Sequence, residues 1–346
     1  MIRIDLRKWV HNLKWWIVMP VARFAGGFRD RRQIVSVWPE APVQLAAKIV
    51  LFMHYDRNGF VRPQMLNYIR GLAESGRSIV FITNAGKLTA GSLAQLQTIC
   101  AAVIIRRNIG YDFGAWRDAI ERLELPRAGT EEIILANDSV LGPLQPLGGL
   151  LQRLTYNEAD VLGLTESWQM KYHLQSYFLA FGPAALRSDA FGKFWRQVRP
   201  VPAKSFIIKH YEVGITQTML KGGLRCLALW PYDTLVSQID KRELEELIAI
   251  DLTEAGSVDP VLVTKKLQAL RIRDATARRI AMNPTADLWR QLLLAGFPFI
   301  KRELLRNNPT EVQDVGDWVD FVRGKLGLNP DIILHDLRYM MKDNAP

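Results

Sequence analysis

Cysteine is scarce in this sequence, with only two among 346 residues. Cys100 and Cys226 lie far apart along the chain, each in apolar surroundings. This placement is typical of reduced, buried thiols, and it excludes a disulfide scaffold or a zinc cluster. The scarcity of cysteine therefore favours a cytosolic protein.

A hydrophobic run long enough to cross a membrane is also missing from the N-terminal segment. Its uncharged stretch, residues 15–22, is eight residues long, whereas a spanning helix needs about 20. Charges also interrupt any signal-peptide core. A helix over this segment would carry basic residues on one side and an apolar stripe on the other, formed by Leu6, Trp9, Val10, Leu13, Trp16 and Ile17. We expect residues 1–34 to bind an anionic membrane surface; the alternative is packing on the protein's own core or on a second subunit.

The net charge of +10 is unevenly distributed. Residues 1–34 carry +6 and residues 264–306 carry +7, so the remainder of the chain is slightly acidic, at −3. A nucleic-acid-binding protein would concentrate positive charge along its main groove, and the sequence has no recognition motif for nucleic acid. We therefore expect no nucleic-acid partner.

From residue 46 onward, apolar strand patterns alternate with amphipathic helix patterns. This alternation predicts an α/β fold of the Rossmann type, with a mostly parallel sheet and helices on both faces. After Pro231 only helical patterns follow. The sequence predicts three parts: a basic amphipathic segment over 1–34, an α/β domain over 35–235 and a helical extension over 236–346. Ligands of such sheets bind beyond the carboxyl ends of the strands.

One loop at such an end is RRNIGYDFGAW, residues 106–116. Gly110 and Gly114 would let the backbone approach a ligand closely, and Asn108 and Asp112 could bond ribose hydroxyls or a base edge. A nucleoside diphosphate would suit this hinge between a strand and a helix. The alternative is an Asn-Gly turn with Asp112 as a helix cap. Trp116 lies on an apolar helix face and is predicted to belong to the core.

A second polar group follows the strand pattern EEIILA, where Asn137, Asp138 and Ser139 come together. A carboxylate held on a strand end beside an amide and a hydroxyl suits a hard cation that bridges phosphate oxygens. The alternative is a turn in which these side chains satisfy nearby backbone groups.

Glu212 is predicted to open a helix that ends at Gly223. A carboxylate in that position either complements the helix dipole or serves as a general base facing a cleft. Periodicity alone does not decide between these two roles.

Taken together, these stretches resemble the rhamnan synthesis protein F family, whose members build polysaccharides and are related to GT-A glycosyltransferases. The resemblance covers roughly residues 46–310, in the order LFMHYDRNG, RRNIGYDFGAWRDAI, ILANDSVLGPL, GLTESWQMKYHLQSYFLAF, YEVGITQTMLKGG and NPTADLWRQLLLAGFPFIKRELLRNNP. It implies a GT-A-like catalytic domain in which an N-x-G loop precedes a helix and a later strand ends in a D-x-D motif.

The resemblance implies a base at Glu212, since its distance to Gly223 matches the family spacing, with Tyr211 in place of a first acid. Asn137 and Ser139 fall where the two aspartates of D-x-D are expected, which leaves Asp138 as the ligand for a Mg²⁺ or Mn²⁺ ion. This departure leaves open a weaker cation site or none. In that case Arg106, Arg107, Lys301 or Arg302 would neutralise the diphosphate instead.

The function implied is inverting transfer of a sugar from a nucleotide-diphosphate sugar, deoxythymidine-diphosphate rhamnose (dTDP-rhamnose), to a lipid-linked polysaccharide or lipopolysaccharide acceptor. The enzyme would act in the cytoplasm, on the inner face of the cell membrane. The implied nucleotide-sugar contacts are His54, Tyr55, Asp56, Asn84, Asn108, Gly110, Asp112, Gly114, Asn137, Asp138 and Ser139. The implied acceptor contacts are Glu166, His173, Gln175, Ser176 and Tyr177; the alternative for His173 is a structural histidine. A rival interpretation is a non-catalytic subunit that binds a nucleotide sugar or a glycan.

Overall fold

The computed structural model describes residues 33–252 and 259–342. Within these ranges a nine-stranded sheet forms the centre of the molecule, and two further short strands pair beside it. The strands, numbered along the chain, are β1 (Ile34–Trp38), β2 (Lys48–His54), β3 (Ser78–Thr83), β4 (Ala102–Arg106), β5 (Glu132–Asn137), β6 (Val140–Leu141), β7 (Val161–Ser167), β8 (His173–Leu174), β9 (Phe178–Phe181), β10 (Cys226–Trp230) and β11 (Ile300–Lys301).

The sheet runs in the order β1-β4-β3-β2-β5-β9-β7-β10, and β8 pairs with β7. Strands β4, β3, β2 and β5 are mutually parallel, and β10 is parallel to β7. In the central strands nearly every side chain is buried, which is why they appear as continuous apolar runs. The predicted α/β fold is confirmed.

The sheet is more mixed than predicted at two places. The stretch 173–182 was expected to be one strand, but it forms β8 and β9, and β9 runs antiparallel between β5 and β7. Strand β1, antiparallel to β4 at the edge, was not predicted.

Helices surround the sheet on both faces, as predicted. They are α1 (Pro63–Ala73), α2 (Ala90–Gln97), α3 (Tyr111–Arg122), α4 (Gly148–Gln152), α5 (Pro183–Arg187), α6 (Asp189–Gln197), α7 (Lys204–Ile207), α8 (Val213–Lys221), α9 (Tyr232–Ser237), α10 (Lys241–Ala249), α11 (Pro260–Ala277), α12 (Trp289–Leu294), α13 (Arg302–Arg306), α14 (Trp318–Asp320) and α15 (Asp331–Lys342). The single helix expected over 183–198 is interrupted at Ser188, whose hydroxyl accepts from the amide of Phe191 and caps α6.

Each face of the sheet has its own core. On one face Phe52 and Phe81 pack with residues of α1, and on the other Leu51 and Ile82 pack with residues of α3. Trp116 is fully buried in the second core, and its Nε1 donates to the carbonyl oxygen of Leu51 at 3.1 Å. The prediction that Trp116 is a core residue is confirmed.

The C-terminal part is helical as predicted, but it shares its core with the sheet. Leu288, Phe297 and Phe299 belong to the same cluster as Phe52, and the Phe299 ring lies 4.8 Å from that of Tyr68. Strand β11 also pairs with β6. The boundary expected near residue 235 therefore does not separate two independent cores.

Both cysteines are free and buried, as predicted. Burial raises the pKa of each thiol to about 12. The basic segment over 1–34 lies almost wholly outside the described residues. In the part of the chain that the structure describes, no helix is long and apolar enough to cross a membrane.

Candidate functional site

The hinge between β4 and α3 is tied directly to the end of β5. Asp112, in the first turn of α3, accepts a 2.7 Å hydrogen bond at Oδ2 from the side-chain amide of Asn137. The Oδ1 of Asn137 accepts from the backbone N–H and the hydroxyl of Ser139, at 3.1 and 2.6 Å. Two loops distant in sequence therefore form one hydrogen-bonded unit at the carboxyl edge of the parallel strands.

Asp138 is buried and has two close donors. Its Oδ2 accepts from the backbone N–H of Tyr55 at 3.1 Å and from Nη1 of Arg302 at 2.8 Å. The backbone N–H of Arg302 donates to the carbonyl oxygen of Ser139 at 2.9 Å, which fixes the residue next to Asp138. The pairing of β11 with β6 thus brings a cation from the C-terminal part onto the sheet edge.

Lys301 lies in β11 beside this ion pair. Its Nζ donates to the Ser139 hydroxyl at 3.1 Å and lies 4.8 Å from the centre of the Tyr177 ring. Burial lowers the pKa of Lys301, and the negative charges of Glu212, Glu303 and Asp112 oppose that shift.

Glu212 lies on a helical irregularity rather than at a helix start. The chain is helical from Lys204 to Lys221, and residues Ile208–Glu212 form a π-helical turn between α7 and α8. The prediction that Glu212 opens a helix is therefore wrong, and the helix dipole gives no reason for its presence. Single π-turns inside α-helices are frequent at functional sites, and here the Glu212 Oε1 accepts from the backbone N–H of Ser176 at 3.2 Å.

Neighbouring charges at this edge of the sheet shift the pKa of Asp112. The pKa of Asp112 is raised to about 7, first by burial and then by the negative charges of Asp138 and Glu212. The hydrogen bond from Asn137 and the positive charge of Lys301 oppose the rise. Three carboxylates and two cations therefore share one small volume. We call Asp112, Asp138, Glu212, Lys301 and Arg302 the charged cluster.

A cavity of about 460 Å³ opens beside the cluster. Asp138 and Arg302 line it, whereas Asp112, Glu212 and Lys301 do not. Its other polar lining residues come from the loop after β2, from α1, and from the C-terminal part: His54, Tyr55, Asp56, Arg57, Asn58, Arg62, Gln64, Arg306 and Asp336. Several arginines around one concave surface favour an anionic ligand.

Most of the predicted nucleotide contacts hold the loops in place. His54 is buried, and its Nδ1 lies 3.2 Å from the Thr83 hydroxyl. Asp56 accepts at Oδ1 from the backbone N–H groups of Asn58 and Phe60, so it shapes its own loop. Asn108 is exposed on the loop before α3.

Asn84 and Arg106 also act within the protein. The side-chain amide of Asn84 donates to the carbonyl oxygen of Tyr111 at 3.2 Å and accepts from Arg106. Arg106 is fully buried and paired with Asp118 at 2.7 Å. The alternative in which Arg106 neutralises a diphosphate is therefore wrong, while Arg107 is exposed.

The two glycines of the hinge contact protein and are both buried. Gly110 has a φ of +85°, and a side chain there would come within 2.7 Å of the Cα of Pro200. A Cβ on Gly114 would approach the carbonyl oxygen of Ile109 to 3.0 Å. Backbone conformation and close packing explain both glycines without a ligand.

The predicted acceptor contacts divide into two groups. Ser176 and Tyr177 contact the charged cluster: the Ser176 N–H donates to Glu212, and the Tyr177 ring lies beside Lys301. The other three, Glu166, His173 and Gln175, bond to protein groups: the amide of Tyr232 at 2.9 Å, the carbonyl oxygen of Lys171 at 2.8 Å and the hydroxyl of Thr165 at 2.6 Å. The contacts of His173 agree with the structural alternative.

Several residues at or beside the site were not found from the sequence, among them Tyr111 and Asp336. Tyr111 has a φ of +52° with its side chain 38% exposed, and Asp336 of α15 lines the cavity with a side chain only 2% exposed. Burial raises the pKa of Asp336 to about 6. The tyrosine in N-I-G-Y-D could have been suspected because it follows the turn glycine, whereas nothing marks Asp336, which lies roughly 200 to 280 residues from the loops it faces.

The side chains at Asp138 do not fit a divalent cation well. Asp138 is the only carboxylate of the Asn137-Asp138-Ser139 turn, and Arg302 occupies its Oδ2. Across residues 33–252 and 259–342, no group of three or more His, Cys, Asp or Glu side chains could hold a metal ion. An ion at the Oδ2 of Asp138 would have to displace the guanidinium of Arg302.

The fold and the charged cluster define an α/β protein with a polar site beyond the carboxyl ends of parallel strands. A family model for rhamnan synthesis protein F matches residues 79–249. The virulence protein VirA of Vibrio anguillarum is 32% identical over 235 residues, covering 66% of this chain and 70% of its own. Protein y4gN of Sinorhizobium fredii is 25% identical over 207 residues, covering 59% and 54%.

The chain belongs to the rhamnan synthesis protein F family, and membership supports a nucleotide-sugar glycosyltransferase. Solved structures share a more distant likeness. The mannosyltransferase PcManGT of Pyrobaculum calidifontis, in complex with GDP-Man and Mn²⁺, is 13% identical with a TM-score of 0.35, covering 94% of this chain and 90% of its own. A glycosyltransferase involved in glycosylation of the major capsid of PBCV-1 is 10% identical with a TM-score of 0.29, covering 52% and 80%.

Proposed function

We propose that this protein is an inverting glycosyltransferase that uses a nucleotide-diphosphate sugar as donor. The observation that carries the proposal is the charged cluster at the carboxyl edge of the sheet, in which Glu212 acts on Lys301 and Arg302 is paired with Asp138. The reaction needs a carboxylate near the acceptor and positive charge near the leaving diphosphate. Family membership supports the same chemistry.

The donor binds along the strand ends, with its diphosphate toward Arg302. Tyr55 and Tyr111 offer exposed rings near the loops after β2 and β4, with 41% and 38% of their surfaces accessible. Aromatic faces of this kind stack on bases. The cavity beside Asp138 and Arg302 accommodates the anionic part of the donor.

In the transfer step Glu212 accepts the proton of the acceptor hydroxyl. The freed oxygen lone pair forms the new bond to the anomeric carbon, while the bond from that carbon to the phosphate oxygen breaks on the opposite face. The electron pair stays on the leaving nucleoside diphosphate. Ser176 donates its backbone N–H to the Glu212 Oε1 and orients the carboxylate.

The donor sugar, acceptor and location follow from the family resemblance and the N-terminal sequence. We propose dTDP-rhamnose as donor and a lipid-linked polysaccharide or lipopolysaccharide as acceptor. Residues 1–34 would hold the enzyme on the inner face of the cell membrane through their positive charge and tryptophans. Both reactants would then meet at the membrane surface.

The test is a binding panel on the purified full chain, measured by calorimetry and thermal shift. A ligand that binds only the folded state raises the apparent melting temperature by mass action. We expect dTDP-rhamnose to stabilise the protein and dTDP to compete with it, while the matching nucleoside monophosphate binds more weakly. If no nucleotide sugar in the panel binds, the proposed function is wrong.

A second candidate, a non-catalytic binding subunit, is favoured only by the missing D-x-D aspartates. It predicts the same binding as the enzyme but no transfer by the intact chain. A transfer assay with the best-bound donor therefore separates the two candidates.

A further inference from the structure

We propose that Lys301 and Arg302 take the place of a divalent cation and neutralise the diphosphate of the donor. The proposal rests on the proposed function and specifies how its site holds a phosphate. It assigns a ligand-binding role to two residues of the predicted helical extension, outside the predicted α/β domain.

The first observation is that the fold fixes this basic pair at the strand end. In the β6–β11 pair, Lys301 lies opposite Val140 and Ile300 lies opposite Leu141. The N–H of Arg302 donates to the carbonyl oxygen of Ser139. The backbone that carries both side chains is therefore hydrogen-bonded to the Asn137-Asp138-Ser139 turn and its neighbours. Because the two cations are already positioned, binding a phosphate does not require the ordering of a loop.

The second observation is where the two charges lie: Arg302 lines the cavity, and Lys301 lies outside its lining, with its Nζ donating to the Ser139 hydroxyl. The Nη1 of Arg302 is 2.8 Å from Asp138, whose side chain is only 6% exposed, whereas the side chain of Arg302 is 26% exposed and lines the cavity. The pair with Asp138 uses Nη1, and a guanidinium has five N–H donors in a planar fork. Arg302 can keep Asp138 neutralised and still donate to phosphate oxygens.

The third observation concerns the competing cation. In proteins Mg²⁺ and Mn²⁺ are usually held by one or two carboxylates together with water and phosphate oxygens, and the Oδ2 of Asp138 already accepts from Arg302 and from the N–H of Tyr55. An ion at this oxygen would lie next to a guanidinium and be repelled by it. The residues present thus suit a phosphate bound by Lys301 and Arg302 better than a phosphate bound through a metal.

The pair also suits the chemistry of the leaving group. As the bond from the anomeric carbon to the phosphate oxygen breaks, negative charge grows on that oxygen. N–H donors of Lys301 and Arg302 stabilise the charge by hydrogen bonding and Coulomb attraction. The proton taken from the acceptor stays on Glu212, so the step is balanced without a metal.

The test measures calorimetric binding of dTDP, UDP and GDP to the full chain, once in excess EDTA and once in MnCl₂. We expect the best-bound nucleoside diphosphate to have the same affinity in both buffers. Lys301→Met should weaken this binding about tenfold, which is the loss of one charge-assisted hydrogen bond. Because Arg302→Met alone would leave Asp138 buried without a partner, the matched variant is the double change Asp138→Asn/Arg302→Met, with the same expected loss.

Arg323→Met removes an arginine that is half exposed and paired with Asp331, and it is the control for a general loss of positive charge. Binding that disappears in EDTA and returns with Mn²⁺ would overturn the inference and leave the proposed function standing. Unchanged affinity in both the Lys301 variant and the double variant would overturn it as well. No binding of any nucleoside diphosphate in either buffer would overturn the proposed function, and the inference with it.

Discussion

Tyr111 combines a left-handed backbone with an exposed ring. Its φ of +52° is uncommon for a residue with a side chain, and the left-handed region costs about 1–2 kcal/mol for such residues. The hydrogen bond from Asn84 to its carbonyl oxygen holds the conformation. Strain of this kind collects at ligand sites, which is why we place Tyr111 against the donor base.

We expect Tyr111→Gly to raise stability by about 1 kcal/mol and to weaken nucleoside diphosphate binding about tenfold, through loss of base stacking. Urea unfolding and calorimetry measure the two effects. Glu124, exposed with a φ of +53° on another loop, provides the control: Glu124→Gly should gain similar stability without any change in binding. A Tyr111→Gly protein that binds normally would contradict the stacking role.

Asp112 makes the folded protein sensitive to pH. Its pKa is about 7 in the folded state and about 4 in an unfolded chain. The folded state therefore binds this proton more tightly, so the free energy of unfolding falls as pH rises from about 4 to about 7.

Asp112→Asn keeps an oxygen that can accept from Asn137 but removes the titration. We expect this variant to be more stable than the wild type at pH 8, by at most about 4 kcal/mol, with a much smaller difference at pH 4. Urea unfolding at the two pH values measures this. Asp189→Asn removes an exposed first-turn carboxyl of α6 and is the control. An equal difference at both pH values would contradict the raised pKa.

At the residue scale the sequence indicated the polar loops but not the partners within them. Asp112, Asn137 and Asp138 were identified because each stands at a strand end, where topology brings loops together. The ion pair between Arg106 and Asp118 and the close packing of Gly110 against Pro200 depend on how helices, strands and loops pack together. Spacing along the chain carries no information about such contacts.

Among the secondary-structure elements, the short pair β6–β11 connects the sheet region to the C-terminal part. Two residues on each side are too few to give a periodic pattern, and about 160 residues separate them, so the sequence did not predict it. The long apolar strands β2, β3, β4 and β5 were predicted because each is a buried run bounded by turn residues. The π-turn Ile208–Glu212 before α8 was also missed. A single π-turn inside a helix has no residue pattern that distinguishes it from the α-helix around it.

We expect the amides that flank this pair to exchange with deuterium as slowly as those of the sheet. The N–H of Arg302 donates to Ser139 and that of Leu144 donates to Pro298, and both lie beside buried residues. Hydrogen exchange measures the protection, with the amide of Gly129, an exposed turn residue, as the fast control. Exchange of Arg302 at the rate of Gly129 would mean that the C-terminal part opens separately from the sheet.

At the scale of the whole molecule, the C-terminal part packs against the sheet and contributes residues to the site. Some C-terminal residues belong to the core on one face of the sheet, and others form a third cluster that includes Leu141 and Leu144. Residues beyond 235 also line the cavity. The prediction of a helical extension was correct in secondary structure. From the sequence, Lys301 and Arg302 were named only as two of four alternative cations, and Asp336 was not predicted at all, because contacts over such sequence distances leave no local signal.

The N-terminal segment carries a prediction of its own. Deleting residues 1–32 spares β1, which begins at Ile34, and removes most of the basic, tryptophan-rich stretch. We expect the full chain to sediment with vesicles containing anionic lipid, and the shortened chain to stay in solution, because each basic residue near such a surface contributes about 1 kcal/mol. Neutral vesicles are the control; retention of the shortened chain on anionic vesicles would assign membrane binding to another part.

The most direct test of the account is the substitution Glu212→Gln, assayed for sugar transfer and for donor binding. Loss of a general base typically lowers the rate 10²- to 10⁴-fold, and the glutamine oxygen can still accept from the N–H of Ser176. We predict transfer reduced by about a hundredfold or more with donor affinity unchanged, while Glu74→Gln, an exposed site at the end of α1, leaves both unchanged. Transfer by Glu212→Gln at the wild-type rate would contradict the central claim.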